Sequence, residues 1–410
     1  MHGTTQPRVQ APGGPPGDVM DSVFPVERLG VVMEPDPQNP LEAMGVLNPA
    51  VARDPSGDLY LFPRIVAEGN FSRIGRARVR FDEAGDPVGV ERLGYAVQPS
   101  ADYERNRLTG GGCEDPRITY IDILKRYVMT YVAYGDTGPR VALAVSDDLA
   151  AWRRLGELHF SRARVDFGGY GNKDASFFPE PVLDPNGEPA LAIIHRPTYR
   201  QHFADGSDRV VLPAHVRDSR ESIWISYVNL KRAREHEAAL LHVHENHLLM
   251  APEAPWEQIK LGGGAPPIAI RQGWLLIYHG IRPLYLSDGA LAPRGEYCAG
   301  AAVLDRQRPW HVLYRSPAPI LAPAHSAERV GVVSNVVFPT GLDPRPDLGS
   351  GIVDMYYGMA DSRIGAGRLR VPDEIPLRLR NQHAEHTHAR PAPADAGQPN
   401  PPKLAPPPGE

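Results

Sequence analysis

The chain has 410 residues, two cysteines and a formal net charge of −5. That length allows one large domain with a substantial core, and the mild acidity argues against a nucleic-acid binder, which would present a basic face. No apolar run is long enough to span a bilayer. Cys113 and Cys298 are too few for a secreted disulfide framework, so a reducing, cytoplasmic setting is expected.

Residues 1–20 are polar and rich in Pro and Gly, without the apolar centre of a signal peptide, and are expected to form a disordered arm. Residues 21–380 are expected to form the folded domain. Within it Asn48-Pro49-Ala50-Val51 precedes a turn at Asp54-Pro55-Ser56-Gly57 and the strand-like run Leu59–Val66. Phe71–Phe81 alternates basic and apolar residues and predicts a further strand. Gly110-Gly111-Gly112-Cys113-Glu114-Asp115-Pro116-Arg117 couples a tight glycine turn to two adjacent carboxylates and a φ-fixing proline. The β-branched and aromatic run Tyr127–Tyr134 then returns as a strand. Cys113 beside the acidic pair reads as a small buried residue, since no neighbouring His motif would activate it. Val141–Ser146 predicts another strand, closed by an Asp-rich turn.

The same pattern recurs. Asn172-Lys173-Asp174-Ala175 precedes Leu191–Pro197, Gly264-Ala265-Pro266-Pro267 precedes Trp274–Gly280, and Asn335–Pro339 precedes Val353–Asp361. Five such units, spaced by about 60–90 residues, predict an all-β five-bladed β-propeller whose blades carry long loops. A β-sandwich with similar Pro-rich turns is the alternative. Thr198–Arg220 interrupts the third unit and is expected to be a loop over one face. Asn229–His247 is the one predicted helix. His242, His244 and His247 are read as exposed polar residues, with no fixed carboxylate partner to make a metal site. Residues 381–410 carry repeated prolines and predict a disordered tail; its His383, His386 and His388 lack a rigid supporting shell.

The polar residues at the unit ends are Asn48, Arg64, Asp115, Arg117, Lys173, Asp174, His195, Arg196, Lys260, His279, Asn335 and Asp361. Carboxylates converging on one axis suit sugar chemistry, in which one donates a proton to the leaving oxygen. The surplus of cations points to an anion site as well, because Arg pairs well with phosphate oxygens. For any one residue a structural ion pair is an equally good reading.

Taken in order, Glu114-Asp115-Pro116-Arg117, Asn172-Lys173-Asp174-Ala175, His195-Arg196-Pro197, Lys260–Ile268, Gly273–Gly280, Asn335–Pro339 and Tyr357–Asp361 resemble glycoside hydrolase family 130. The resemblance covers about Asn48 to Asp361. It implies a five-bladed propeller acting on β-mannosides, mostly by phosphorolysis and in some members by hydrolysis. It implies Asp115 as the catalytic acid, protonating the glycosidic oxygen through the 3-hydroxyl of the mannosyl unit. Phosphate then attacks the anomeric carbon with inversion to give α-mannose 1-phosphate. Lys260 and His279, with Arg64 and Arg196, take the phosphate-binding role. Asn48, Arg117, Asp174 and Asp361 take the sugar-binding role.

The expected reactants are therefore a β-mannoside oligosaccharide and inorganic phosphate, with no cofactor, metal, nucleic acid or membrane, and a homo-oligomer is compatible with the reading. As an acid that must hold its proton, Asp115 is expected to have a raised pKa. The cations favour phosphorolysis over two alternatives, a β-mannosidase and a non-catalytic carbohydrate-binding propeller. Thr198–Arg220, Cys113 and both tails depart from the family pattern.

Overall fold

The computed structural model describes residues 22–106, 110–203, 207–285, 292 and 294–375, so both Pro-rich tails lie outside the described residues. The described chain is nearly all β, and none of its helices is long and apolar enough to cross a membrane.

The strands fall into antiparallel groups in chain order. Gly45–Arg53, Leu59–Ala67, Phe71–Phe81 and Pro87–Val97 form the first, and Gly111–Ile121, Arg126–Gly135, Gly138–Ser146 and Arg153–Glu157 the second. A two-residue parallel pairing, Phe71 with Gly111 and Ser72 with Gly112, joins these two into one eight-stranded sheet. Gly171–Phe177, Pro189–Thr198, Ile223–Asn229 and His242–Met250 make the third. Lys260–Gly263, Gly273–Arg282, Glu296–Leu304 and Val312–Arg315 make the fourth. The fifth holds Val337–Pro344, Ile352–Met359 and Arg363–Arg370, and its outermost strand is Val26–Met33, from the other end of the described chain.

Side chains alternate across each strand, so a strand covered on both faces serves two cores. In the second group Met129 and Tyr131 pack towards the first, whereas Val128 packs towards the third. In the third, Leu191 and Ile193 face the second group and Ala192 and Ile194 face the fourth. In the fourth, Trp274, Leu276 and Tyr278 face the third while Leu275 and Ile277 face the fifth. Tyr356 of the fifth group packs with Val46, Leu59 and Leu61 of the first. Each group therefore shares a core with the next, and the last shares one with the first.

Buried carboxylates brace these cores. Four of them close a Pro-x-x-x-x-Glu segment, at Pro37–Glu42, Pro99–Glu104, Pro252–Glu257 and Pro323–Glu328. In three of the four, the Glu accepts the N–H groups of the residues three and four positions before it, an adjacent Tyr hydroxyl and an Arg from a different strand. These are Glu104 with Tyr131 and Arg154, Glu257 with Tyr278 and Arg315, and Glu328 with Tyr357 and Arg28. Glu42 holds Arg92 and the Asp36 N–H without a Tyr. Full hydrogen bonding is what allows such charges to be buried.

Two sequence expectations change here. The helix expected over Asn229–His247 is confined to Leu230–Glu235, capped by the Asn229 side chain, with a 3₁₀ turn at Glu237–Leu241. His242–Met250 is a strand, because Val243 and Leu249 are drawn into sheet cores. The Thr198–Arg220 stretch is not a plain loop: Arg200–His202 and Asp208–Val210 pair as a small hairpin.

Glu257→Ala should leave the buried Arg315 guanidinium with Glu253, at 3.3 Å, as its remaining carboxylate, and cost about 3 kcal/mol in urea unfolding. Tyr278→Phe, which removes only the hydroxyl, should cost about 1 kcal/mol.

Candidate active site

Three inner strands break their register at the same place. The pairing skips between Leu47 and Ala50, between Glu114 and Arg117, and between Lys173 and Ser176. At each bulge one residue is left-handed: Asn48 at φ 46°, Asp115 at φ 46° and Asp174 at φ 52°. Asn and Asp are the non-glycine residues that best tolerate this conformation. The bulge re-aims their side chains out of the normal alternation. Asn335 and Asp361, at φ 61° and 48°, are also left-handed but lie just outside the strands of the fifth group.

Glycines make room for them. A Cβ on Gly358 would lie 2.1 Å from Asn48 Oδ1, and one on Gly262 would lie 2.3 Å from Asp174 Oδ2 and 2.8 Å from Arg196 Nε.

Asp115 Oδ1 accepts from Asn48 Nδ2 at 3.0 Å and from Arg64 Nη1 at 3.4 Å. Arg64 also donates to Glu114 Oε1 at 2.8 Å and to Ser72 Oγ at 2.9 Å. The other Glu114 oxygen lies 3.5 Å from Lys173 Nζ. Further along, Asp174 Oδ2 takes Arg196 Nε at 2.6 Å and lies 3.8 Å from His279 Nε2. Arg196 Nη1 bonds Glu221 Oε2, and Lys260 Nζ lies 3.5 Å from the same oxygen. Lys173 acts electrostatically on both Asp115 and Lys260, which links the two halves.

The electrostatics overturn one expectation. Burial pushes the Asp115 carboxyl up, but Arg64, Lys173, Arg117 and the Asn48 hydrogen bond outweigh it and hold the group below its ordinary value. These groups therefore favour the ionised form of Asp115. The raised carboxyl is Asp361, which burial, opposed by Arg64 and reinforced by Asp115, pushes up to about 6. Asp174 is also buried, yet Arg196, His279 and Arg117 keep it well below the usual carboxylate range. Burial pushes His279 down to about 3, so its imidazole is neutral. Lys260 is lowered by burial and by Arg196, against the pull of Glu221 and Asp174.

Asn48, Arg64, Asp115, Asp174, Arg196, Lys260, His279 and Asp361 thus belong to one electrostatic network. Two of the expected sugar contacts sit differently. Arg117 is only 1% exposed and donates to the carbonyls of Asp115, Pro116 and Gly264, so it braces the bulge from beneath. Asp174 is buried under Arg196 and orients that guanidinium. His195 is buried, hydrogen-bonded to Asn172 and Ser226, and packs on Phe160 and Phe167. Cys113 is a buried thiol raised well above its ordinary pKa, chiefly by burial, and is no nucleophile.

Sequence reasoning missed Glu221, which follows the Thr198–Arg220 insertion and carries no motif. It also missed the aromatic wall of Tyr297 and Phe338, whose rings lie 5.9 and 4.4 Å from that of His279. Phe338, inside an already noted run, could have been found by its place beside the left-handed Asn335.

Three buried polar atoms of this network, Asn48 Oδ1, Arg117 Nη2 and His279 Nδ1, have no hydrogen-bond partner among the described residues.

Residues 23–375 match the family described as β-1,4-mannooligosaccharide phosphorylase, glycoside hydrolase family 130. The chain belongs to glycoside hydrolase family 130. Among family 130 relatives, a 1,2-β-oligomannan phosphorylase of Thermoanaerobacter sp. (strain X514) is 30% identical over 348 residues, covering 83% of this chain and 95% of that protein. A β-1,2-mannobiose phosphorylase from Listeria innocua, solved with β-1,2-mannobiose, superposes with a TM-score of 0.60 at 21% identity, covering 84% of this chain and 97% of that one. A structure from work on family 130 mannoside phosphorylases and the hydrolases among them that target β-1,2 mannosidic linkages in Candida mannan gives a TM-score of 0.62 at 20% identity, covering 90% of this chain and 99% of that one.

Asp361→Asn tests the raised carboxyl through stability. The folded pKa near 6 exceeds the unfolded value near 4. The native protein therefore carries no penalty from this group below about pH 4, a growing one between pH 4 and 6, and the full one above. Asp361→Asn should be more stable than wild type by about 1–2 kcal/mol at pH 8 and equal to it at pH 4 in thermal melts. It should lose activity at both.

Proposed function

We propose that this protein is an inverting glycoside phosphorylase that cleaves a β-mannoside with inorganic phosphate, giving α-mannose 1-phosphate and a shortened sugar. The observation that carries the reading is the Asp115 carboxylate, held by Asn48 and Arg64 beside the cations Arg64, Lys173, Arg196 and Lys260, which share the carboxylates Glu114, Asp174 and Glu221. Names of relatives such as the 1,2-β-oligomannan phosphorylase support it.

The same proposal makes residues 21–380 one catalytic domain, a five-bladed propeller. The cores shared by successive strand groups, with the fifth group returning to the first, support this architecture. The two buried free thiols fit a reducing, cytoplasmic setting.

In the proposed reaction a phosphate oxygen forms a bond to the anomeric carbon while the bond from that carbon to the glycosidic oxygen breaks. The leaving oxygen takes the proton of the mannosyl 3-hydroxyl, which Asp115 replaces. Asp115 must be protonated to do this, although Arg64, Lys173 and Arg117 favour its ionised form. Phosphate resolves the conflict: its negative charge on Arg196, Lys260 and Arg64 offsets the field that stabilises the Asp115 carboxylate, so phosphate binding raises its pKa. Asn48 and Asp361 hold the mannosyl unit, and the unpaired Asn48 Oδ1 is available to a sugar hydroxyl.

A panel of β-linked mannosyl disaccharides and manno-oligosaccharides, incubated with and without phosphate, tests the reading. Mannose 1-phosphate is expected only with phosphate. Free mannose without it would identify a hydrolase, and binding without either product a carbohydrate-binding protein. Asp115→Asn should lower turnover by a factor of 10³ or more while mannoside binding, read by calorimetry, persists; near-normal activity would refute the assignment. Lys260→Ala should raise the KM for phosphate at least about tenfold and leave that for mannoside nearly unchanged.

A further inference from the structure

Glu221 is a carboxylate set among the cations assigned to phosphate. Its Oε2 bonds Arg196 Nη1 and lies 3.5 Å from Lys260 Nζ. Arg196 already gives its Nε to Asp174, so Glu221 occupies the guanidinium edge that would otherwise meet an incoming anion. For Lys260, Glu221 is the ion-pair partner among the described residues.

The two carboxylates on Arg196 differ in kind. Asp174 is locked: its side chain is 2% exposed, at a bulge, with Gly262 packed against it. The Glu221 side chain is 18% exposed and reaches the site along a longer, rotatable stem. Its backbone is fixed, because the Glu221 carbonyl accepts the Leu261 N–H at 3.1 Å. The carboxylate can therefore leave the cations by side-chain rotation alone, with the backbone pairing intact.

Resting on the phosphorolytic reading above, we propose that Glu221 is a built-in counter-anion that phosphate displaces, and that it sets the concentration of phosphate the enzyme requires. With Glu221 in place, Arg196 and Lys260 are paired and their burial is tolerated. Phosphate, carrying more charge and more acceptor oxygens than a carboxylate, takes over both cations. Every bound phosphate then competes with an intramolecular carboxylate, which lowers its apparent affinity without touching the sugar.

The test is Glu221→Gln, which keeps the shape and removes the charge, with Glu221→Ala beside it. Both should lower the KM for inorganic phosphate by about tenfold or more and leave the KM for mannoside within about twofold. A phosphate KM that is unchanged or raised in Glu221→Gln would overturn the proposal, since Glu221 would then be holding Arg196 in its binding pose. Calorimetric titration of wild type and Glu221→Gln with inorganic phosphate, without sugar, separates this question from the overall reaction. If wild type forms no mannose 1-phosphate, the phosphorolytic reading fails. Tighter phosphate binding by the variant would still support the counter-anion, and equal, weaker or undetectable binding would refute it.

Discussion

The left-handed residue at the bulge of an inner strand fixes this site. A side chain in a regular strand alternates between two packed faces, and here both faces are core. A polar group there would be buried without partners. The bulge at Asn48, Asp115 and Asp174 releases one residue per strand from that alternation and turns it away from both cores. Arg117 secures the arrangement by binding the carbonyls of Asp115 and Pro116, which the bulge has removed from the sheet ladder.

Around that backbone device the charges are balanced almost in full. Arg64 lies between Glu114 and Asp115, Arg196 between Asp174 and Glu221, and Lys173 reaches back to Glu114. Such pairing explains why a buried Asp115 is more acidic than a free one, and why a buried Asp361, with no hydrogen-bonded cation among the described residues, is not. It also means that a bound anion changes every group in the network at once. In the proposed reaction, acid strength and phosphate binding would thus be two readings of one field.

Much of this was legible in the sequence. Continuous apolar runs such as Tyr127–Tyr134 and Trp274–Gly280 are strands, and the polar residues next to them converge. The roles of Arg117 and Asp174 were not legible, because residue type does not say whether a charge faces a ligand or a carbonyl. The Asp115 pKa was misjudged because the weight of burial against Arg64 and Lys173 depends on distances that no motif encodes. The Pro-x-x-x-x-Glu segments were readable in principle, but their Tyr and Arg partners lie on other strands, up to 300 residues away in the case of Arg28 and Glu328. The His242–Met250 strand was hidden by its polar residues, since sheet packing overrides local propensity there.

The pairing of Val26–Met33 with Arg363–Arg370 has a temporal consequence. Val26 meets Leu369, so a strand made early on the ribosome must wait for one made much later. At about 5–20 residues per second the wait is on the order of tens of seconds. Through that interval the early strand has open backbone donors and acceptors, and the first group lacks its neighbour across the Val46 and Tyr356 core. The nascent chain thus carries an unfinished seam until translation has passed residue 370, and chaperone protection would matter most in that window.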